Sequence, residues 1–172
     1  MLQIFTSKKH LAIMAFAMLC ATANAQQKSV TLTEAGTLSN HFSGNEKENT
    51  TDLTITGPIN TADILFIRQM AGANNGDNKP INPGKLQHLN LRAASFKKSS
   101  GAYFFMKKGL SNNVGYGISE DNLVDQYMFF GCDQLVEVKL PATTQKINNN
   151  AFNGCSKLTT CAIPVAVTHI GD

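Results

Sequence analysis

A segment that repeats itself after 23 residues constrains the fold of this chain more than any other feature. Residues 128–135 read MFFGCDQL, and residues 151–158 read AFNGCSKL. Later residues keep the same spacing in two more pairs: Leu140-Pro141 with Ile163-Pro164, and Ile147 with Ile170. A fixed period of roughly 20–29 residues is typical of stacked coils, in which each coil buries its apolar edge on the next.

Each coil is expected to contain a short strand whose inward and outward residues alternate. The pattern Leu-x-x-apolar-x-apolar begins at Leu86, Leu135 and Leu158, and residues 52–57 resemble a fourth strand. Placing the four in register predicts an α/β repeat with a parallel, in-line ladder and two interior rows. The predicted rows are Leu53, Leu89, Val138 and Cys161, and then Ile55, Leu91, Leu140 and Ile163.

The residues between these apolar positions are predicted to face outwards and to stack into one polar patch. Such a surface can bind a protein or a glycan through many modest contacts, although an ordinary solvated sheet face has the same pattern. The candidate binding residues are Thr54, Thr56, His88, Asn90, Arg92, Glu137, Lys139 and Thr160, with Ala162 ending the last row.

The first part of the chain is less regular and is predicted to cover one end of the stack. Residues 26–72 are assigned to an N-terminal α/β cap and first coil, because solenoids need atypical end pieces. The predicted elements are an edge strand at 30–33, a possible helix at 36–42 and a helix at 61–71. In that last helix Thr61 can act as the N-cap, and apolar residues share one side: Ile64, Ile67 and Met70.

The remaining residues are predicted to form an irregular coil followed by two typical repeats. Residues 73–127 contain an insertion, because Leu89 and Val138 lie 49 residues apart, 26 more than one coil. Its Ser-, Asn- and Gly-rich stretches predict loops. Residues 128–172 form the two repeats and stop within a coil, which indicates a truncated array.

Two phenylalanines at one repeat position are predicted to fill the core of those repeats. They are Phe129 and Phe152. Replacing Phe152 with alanine is expected to cost about 3–5 kcal/mol if its ring is buried.

Residues 1–25 are predicted to be a secretory signal peptide. A basic start at Lys8 and Lys9 precedes an apolar run of about ten residues and an A-x-A cleavage site that ends at Ala25. That run is too short to span a bilayer, which needs about 20 residues. The alternative is lipid anchoring through Cys20, although Leu19 is larger than the residue that usually precedes a lipidated cysteine.

Three cysteines would remain after cleavage, and their positions favour buried thiols. Cys132 and Cys155 occupy the same repeat position, and Cys161 falls where the previous coil has Val138. This pattern treats cysteine as a small apolar residue. Export would permit disulfides, and a Cys132–Cys155 bridge between neighbouring coils stays open as the alternative. No C-x-x-C or nearby histidine indicates zinc.

The repeat resembles that of BspA-like leucine-rich repeat proteins. The run Gly131-Cys132-x-x-Leu135-x-x-Val138-x-Leu140-Pro141 returns at residues 154–164, and residues 165–171 match the second half of the family pattern. The serine that usually follows the proline is absent here. The resemblance implies a leucine-rich repeat solenoid and an exported, non-catalytic surface protein. Members of the family are associated with adhesion to host matrix proteins, host cells or other bacteria.

Composition and motifs count against several other classes of function. Removing the signal peptide lowers the formal charge from +3 to +1, and no basic stripe suggests nucleic acid. G-x-S-x-G, H-E-x-x-H and P-loop motifs are absent, and three of the histidines, His41, His88 and His169, are scattered. No catalytic residue, metal ligand or cofactor is therefore predicted.

The favoured function is an exported leucine-rich repeat module that binds proteins at the bacterial cell surface. The alternative is a glycan-binding accessory protein of a polysaccharide-uptake system. It would read sugars with the aromatic residues of the insertion, since exposed aromatics anchor sugars and interfaces. Those residues are Tyr103, Phe104, Phe105 and Tyr116. A secreted hydrolase ranks third, for want of paired acid and base residues.

Overall fold

Parallel strands stacked in register form the centre of the molecule. The computed structural model describes residues 26–73, 84–108 and 112–172, so the predicted signal peptide lies outside the described residues. The strands are β1 (Gln26–Thr31), β2 (Thr50–Ile59), β3 (His88–Phe96), β4 (Phe104–Lys108), β5 (Asn112–Tyr116), β6 (Leu123–Val124), β7 (Glu137–Lys139), β8 (Lys146–Ile147), β9 (Thr160–Ala162) and β10 (His169–Ile170). The helices are a 3-10 turn (Leu38–His41), α1 (Glu46–Asn49) and α2 (Thr61–Met70).

The main sheet has the order β1-β2-β3-β7-β9, and every pair in it is parallel. Leu53 lies opposite Leu89, Leu89 opposite Val138, and Val138 opposite Cys161. The first predicted interior row is therefore confirmed. Because successive side chains of a strand point to opposite faces, this register also fixes which residues meet on the outer face.

The second predicted row is interrupted by a β-bulge, and its last residue, Ile163, is half exposed and not interior as predicted. Between the pairs Thr54–Asn90 and Thr56–Ala93, β3 has two residues where β2 has one. The predicted register, which placed Thr56 beside Arg92, is wrong at this point. The cause is visible in the burial of β3: Leu89 and Leu91 are buried, but so are Ala94 and Phe96. The buried residues of β3 therefore change from odd to even positions along the strand. One extra outward residue at the bulge allows this change and keeps the Phe96 ring inside.

A second, small parallel sheet follows the other side of the coils, in the order β10-β8-β6. It pairs Ile170 with Ile147 and Ile147 with Val124, so the three residues are 23 positions apart. The repeat spacing therefore reaches back to Val124, one coil earlier than residues 128–172. Asn148 joins two of these coils by donating its side-chain amide to Asp125 at 3.0 Å.

Helix α2 lies against the sheet with its apolar side inward. Ile64, Ile67 and Met70 are fully buried, as the helical spacing predicted. The predicted N-cap was wrong by one residue: the Asn60 side chain accepts the Ala62 N–H at 2.9 Å, in a capping box with Asp63.

Thr61 instead holds the connection that follows β3. Its hydroxyl accepts the Ile118 N–H at 3.0 Å and the Ser99 hydroxyl at 2.7 Å. Within residues 26–73, 84–108 and 112–172, no helix combines the length and the apolar character that crossing a membrane requires.

The region predicted as a looped insertion contains an antiparallel hairpin, in which Phe104 of β4 pairs with Tyr116 of β5. The loop assigned to Gly115 and Tyr116 is therefore a strand, because its backbone groups pair with β4. Four aromatic rings fasten the hairpin to the turn at 127–130, with centroids 4.7 to 6.1 Å apart. These rings belong to Phe104, Tyr116, Tyr127 and Phe130.

Candidate functional site

A polar hollow opens on the outer face of the main sheet, where β2, β3 and β7 run side by side. Its volume is about 220 Å³, and its lining includes Leu53 and Leu89, whose side chains are buried on the inner face of the sheet. We call its polar residues the polar basin: Asp52, Thr54, His88, Asn90, Glu137 and Lys139. Three strands that are distant in sequence thus contribute to one site.

The register of the sheet explains why these six residues meet. One row across the strands joins Asp52, His88 and Glu137, and it continues to Thr160 on β9. The next outward row joins Thr54, Asn90, Lys139 and Ala162. Neighbouring strands lie about 4.8 Å apart, which brings adjacent side chains of a row within reach of each other.

The basin contains two close pairs of opposite charge. Asp52 Oδ1 lies 3.1 Å from His88 Nδ1, an ion pair when His88 is protonated, and Glu137 Oε1 lies 3.3 Å from Lys139 Nζ. All four side chains are partly exposed, between 28% and 41%. With His88 neutral, the basin carries one net negative charge. It can therefore offer both donors and acceptors to a ligand, with a preference for cationic groups.

The structure brings together most of the predicted binding residues but separates two of them. Five of them belong to the polar basin: Thr54, His88, Asn90, Glu137 and Lys139. A sixth, Thr160, extends one row of the basin on β9. Thr56 lies between Thr31 and Ala93. Arg92 lies next to the following coil, where its carbonyl accepts the Ala142 N–H at 3.2 Å. The bulge in β3 causes this separation.

Sequence reasoning missed Asp52 and the contribution of β1. Asp52 is two residues before Thr54 and therefore shares its face, so the alternation that identified Thr54 could have found it. Strand β1 begins at Gln26, earlier than predicted, and adds three outward residues to the same rows. Gln27 pairs with Asp52, Ser29 with Thr54, and Thr31 with Thr56.

The aromatic residues proposed for glycan binding are mostly interior. Tyr103 is 1% exposed and donates its hydroxyl to the Gln126 carbonyl at 2.7 Å. Burial raises the pKa of Tyr103 well above its ordinary value. Phe104 is also buried, and Tyr116 is partly buried. Phe105 alone of the four is largely exposed, at 50%.

The three cysteines among the described residues, Cys132, Cys155 and Cys161, are free thiols. Burial raises the pKa of Cys132 to about 12 and that of Cys155 to about 11. Burial also raises the pKa of Cys161. The Cys155 thiol donates to the Phe129 carbonyl at 3.0 Å, which ties one coil to the next. The structure thus has free thiols, as the repeat positions favoured, but only Cys132 is fully buried, and Cys155 and Cys161 are partly buried.

Cys132 is expected to react with a thiol reagent at pH 8 at least tenfold more slowly than Cys161, because a thiolate is needed and Cys132 is fully buried. Residue-resolved mass spectrometry after timed labelling of the native protein measures both rates. The denatured, unreduced protein serves as the control and should label all three residues. Fewer than three reactive thiols there, or equal native rates, would contradict the assignment.

In the part of the chain that the structure describes, no group of three or more His, Cys, Asp or Glu side chains is placed to hold a metal ion. Acidic side chains and His88 do meet in the polar basin, but without such a group. The charged and amide side chains of the basin can supply hydrogen bonds and charge pairing to a ligand.

Comparison with known proteins agrees with the repeat geometry. Residues 98–172 match the family model described as BspA type Leucine rich repeat region (6 copies). No curated protein matches the chain. The matched residues include β7 to β10, whose parallel pairs place residues 23 positions apart in sequence side by side on successive coils. Residues 98–172 are therefore similar to the BspA-type leucine-rich repeats.

Proposed function

We propose that this chain is an exported, non-catalytic module that binds a protein ligand at the bacterial cell surface, with the polar basin as the main contact. Leucine-rich repeats of this family suggest a protein-interaction module. The observation that carries the proposal is the register of β2, β3 and β7, which collects charged and amide side chains in one hollow of about 220 Å³.

The charges of the basin are better suited to binding than to stability. Partly exposed ion pairs such as Glu137–Lys139 contribute about 0–1 kcal/mol to folding. The backbone ladder beneath them holds the side chains on rigid strands, so little order has to be imposed when a ligand binds. A partner that presents basic and amide groups would complement the net negative charge of the basin.

Export is the second part of the proposal, and it is supported by the pattern of residues 1–25 and by the family. Surface location can be tested by the accessibility of the protein to antibody on intact cells that produce it. Absence of the protein from both the surface and the medium would contradict export without bearing on the binding site.

Binding to immobilised extracellular-matrix proteins is expected to weaken roughly tenfold or more when four basin residues lose their charges, because desolvated central contacts dominate affinity. The variant combines Asp52→Asn, His88→Gln, Glu137→Gln and Lys139→Gln. Biolayer interferometry against each matrix protein that binds the wild type measures the dissociation constants.

A matched control likewise changes two carboxylates, one lysine and one histidine, at exposed positions away from the basin. It combines Glu34→Gln, Glu120→Gln, Lys146→Gln and His169→Gln. The control should bind within about twofold of the wild type. Equal losses in both variants would indicate a general charge effect, and no loss in the basin variant would place the binding site elsewhere.

A glycan ligand is the second candidate, and the structure supports it less than the sequence did. Tyr103 is buried, so sugar binding by the aromatic residues of the hairpin would depend on Phe105. Glycans arrayed beside the matrix proteins test this directly. Binding that is lost with Phe105→Ala and kept by the basin variant would favour the glycan over the protein ligand.

A further inference from the structure

A second hollow, outside the polar basin, lies beside the bulge in β3 and just beyond the ends of β7 and β9. Its volume is about 230 Å³. We call it the apolar notch and define it by six of its lining residues: Arg92, Leu140, Ala142, Ala162, Ile163 and Val165. Five of these side chains are apolar, and the sixth carries the one charge.

The bulge in β3 and the small residues of the next coil together create this notch. The bulge moves Arg92 out of the row of Thr56 and towards Ala142, whose N–H donates to the Arg92 carbonyl at 3.2 Å. One coil further, 23 residues after Ala142, the chain has Val165. Arg92, Ala142 and Val165 thus follow one another on successive coils. The small side chain of Ala142 leaves space between the two larger ones.

The notch joins exposed apolar surface to a cation without a charged partner. Ile163 is 50% exposed and Val165 is fully exposed, and both follow β9, the edge strand of the main sheet. Among the ion pairs of the described residues, none involves Arg92. A guanidinium binds a carboxylate through two parallel hydrogen bonds, so the complementary ligand carries a carboxylate next to an apolar group.

We propose that the apolar notch binds a segment of a partner protein in which a carboxylate lies beside an apolar side chain. Arg92 holds the carboxylate, and Ile163 and Val165 contact the apolar group. This goes beyond the proposed function, which places a partner on the polar basin. The two sites are tested separately, because the probes below are small molecules and the variants leave every basin residue unchanged.

Three small probes separate the contribution of the carboxylate from that of the apolar group. They are N-acetyl-leucine, its uncharged amide N-acetyl-leucinamide, and acetate. In two-dimensional ¹H–¹⁵N spectra of the labelled chain, N-acetyl-leucine is expected to shift the amides of Arg92, Ala142, Ala162 and Val165 saturably. A dissociation constant on the order of 1 mM is expected for a ligand of this size. The other two probes should bind at least fivefold more weakly. Equal shifts from N-acetyl-leucinamide would overturn the role of Arg92.

Two variants and one control test the residues. Arg92→Gln should reduce the affinity for N-acetyl-leucine to that for its amide, and Ala142→Leu should fill the notch and abolish both. Lys146→Gln removes an exposed cation outside the notch and should change neither. Unchanged binding in Arg92→Gln, or no saturable shift in the wild type, overturns the proposal. Shifts that instead track protein concentration without a probe would show a second copy of the chain in the notch, which also overturns it.

Discussion

Replacing Arg68 with alanine is expected to lower the free energy of unfolding by about 3–5 kcal/mol. Arg68 lies on α2 and is 1% exposed. Its Nη1 donates to three carbonyls of the turn at 127–130: those of Tyr127 at 3.0 Å, Met128 at 3.2 Å and Phe130 at 3.0 Å. The side chain therefore joins the helix to the first typical repeat.

The environment of Arg68 explains why its loss should be so costly. Burial lowers the pKa of Arg68, yet a guanidinium keeps its charge in proteins. The charge is met by carbonyl dipoles and by the ring of Phe104, whose centroid is 5.3 Å away. Nε and Nη2 have no hydrogen-bond partner among the residues that the structure describes. Truncation would leave carbonyls in the interior without a donor and would open a cavity beside the aromatic rings.

Urea denaturation compares this variant with two others. Arg92→Ala removes the other arginine of the chain, which is exposed, and should change stability by less than about 0.5 kcal/mol. Arg68→Met keeps much of the packed volume but none of the donors, so an intermediate loss of about 1–3 kcal/mol is expected. Arg68→Ala within about 1 kcal/mol of the wild type would show that the turn does not depend on these contacts.

The role of Arg68 could not have been predicted from the sequence, whereas the ladder could. A 23-residue period forces equivalent strand residues into register, and this is why Leu89, Val138 and Cys161 were placed correctly. An arginine on an amphipathic helix ordinarily faces water. Its partners are backbone carbonyls some sixty residues away, and no sequence pattern marks a carbonyl that points inward.

The candidate site shows the same division between periodic and irregular features. The sequence correctly predicted His88 and Glu137 on one row. The repeat sets the register of the strands, and the alternation along each strand sets which side chains face outwards. The register failed at Arg92, where one additional residue enters β3. The apolar residues of β3 change from odd positions, Leu89 and Leu91, to even positions, Ala94 and Phe96. This change indicates the bulge in the sequence. The hairpin was missed because the glycines near it suggested a loop.

Replacing Phe129 with alanine is expected to cost about 3–5 kcal/mol, and replacing Phe152 roughly half as much. The two residues occupy the same repeat position, and their rings stack with centroids 5.1 Å apart and planes 13° from parallel. Phe129 is fully buried, whereas Phe152 is only partly buried against the core. The larger loss predicted for Phe152 assumed complete burial, so the structure moves that expectation to Phe129.

Urea denaturation of both single variants and of the double variant measures the difference and the coupling between the rings. Because the rings touch, the double variant should lose about 0.5–1.5 kcal/mol less than the sum of the two single losses. Replacing Phe105, which is half exposed, with alanine provides the control and should cost less than about 1 kcal/mol. Equal losses at Phe129 and Phe152 would mean that the second ring is covered in solution as fully as the first. Additive losses would mean that the two coils do not support each other through this stack, and the repeats would then be held mainly by their aliphatic rows and backbone ladder.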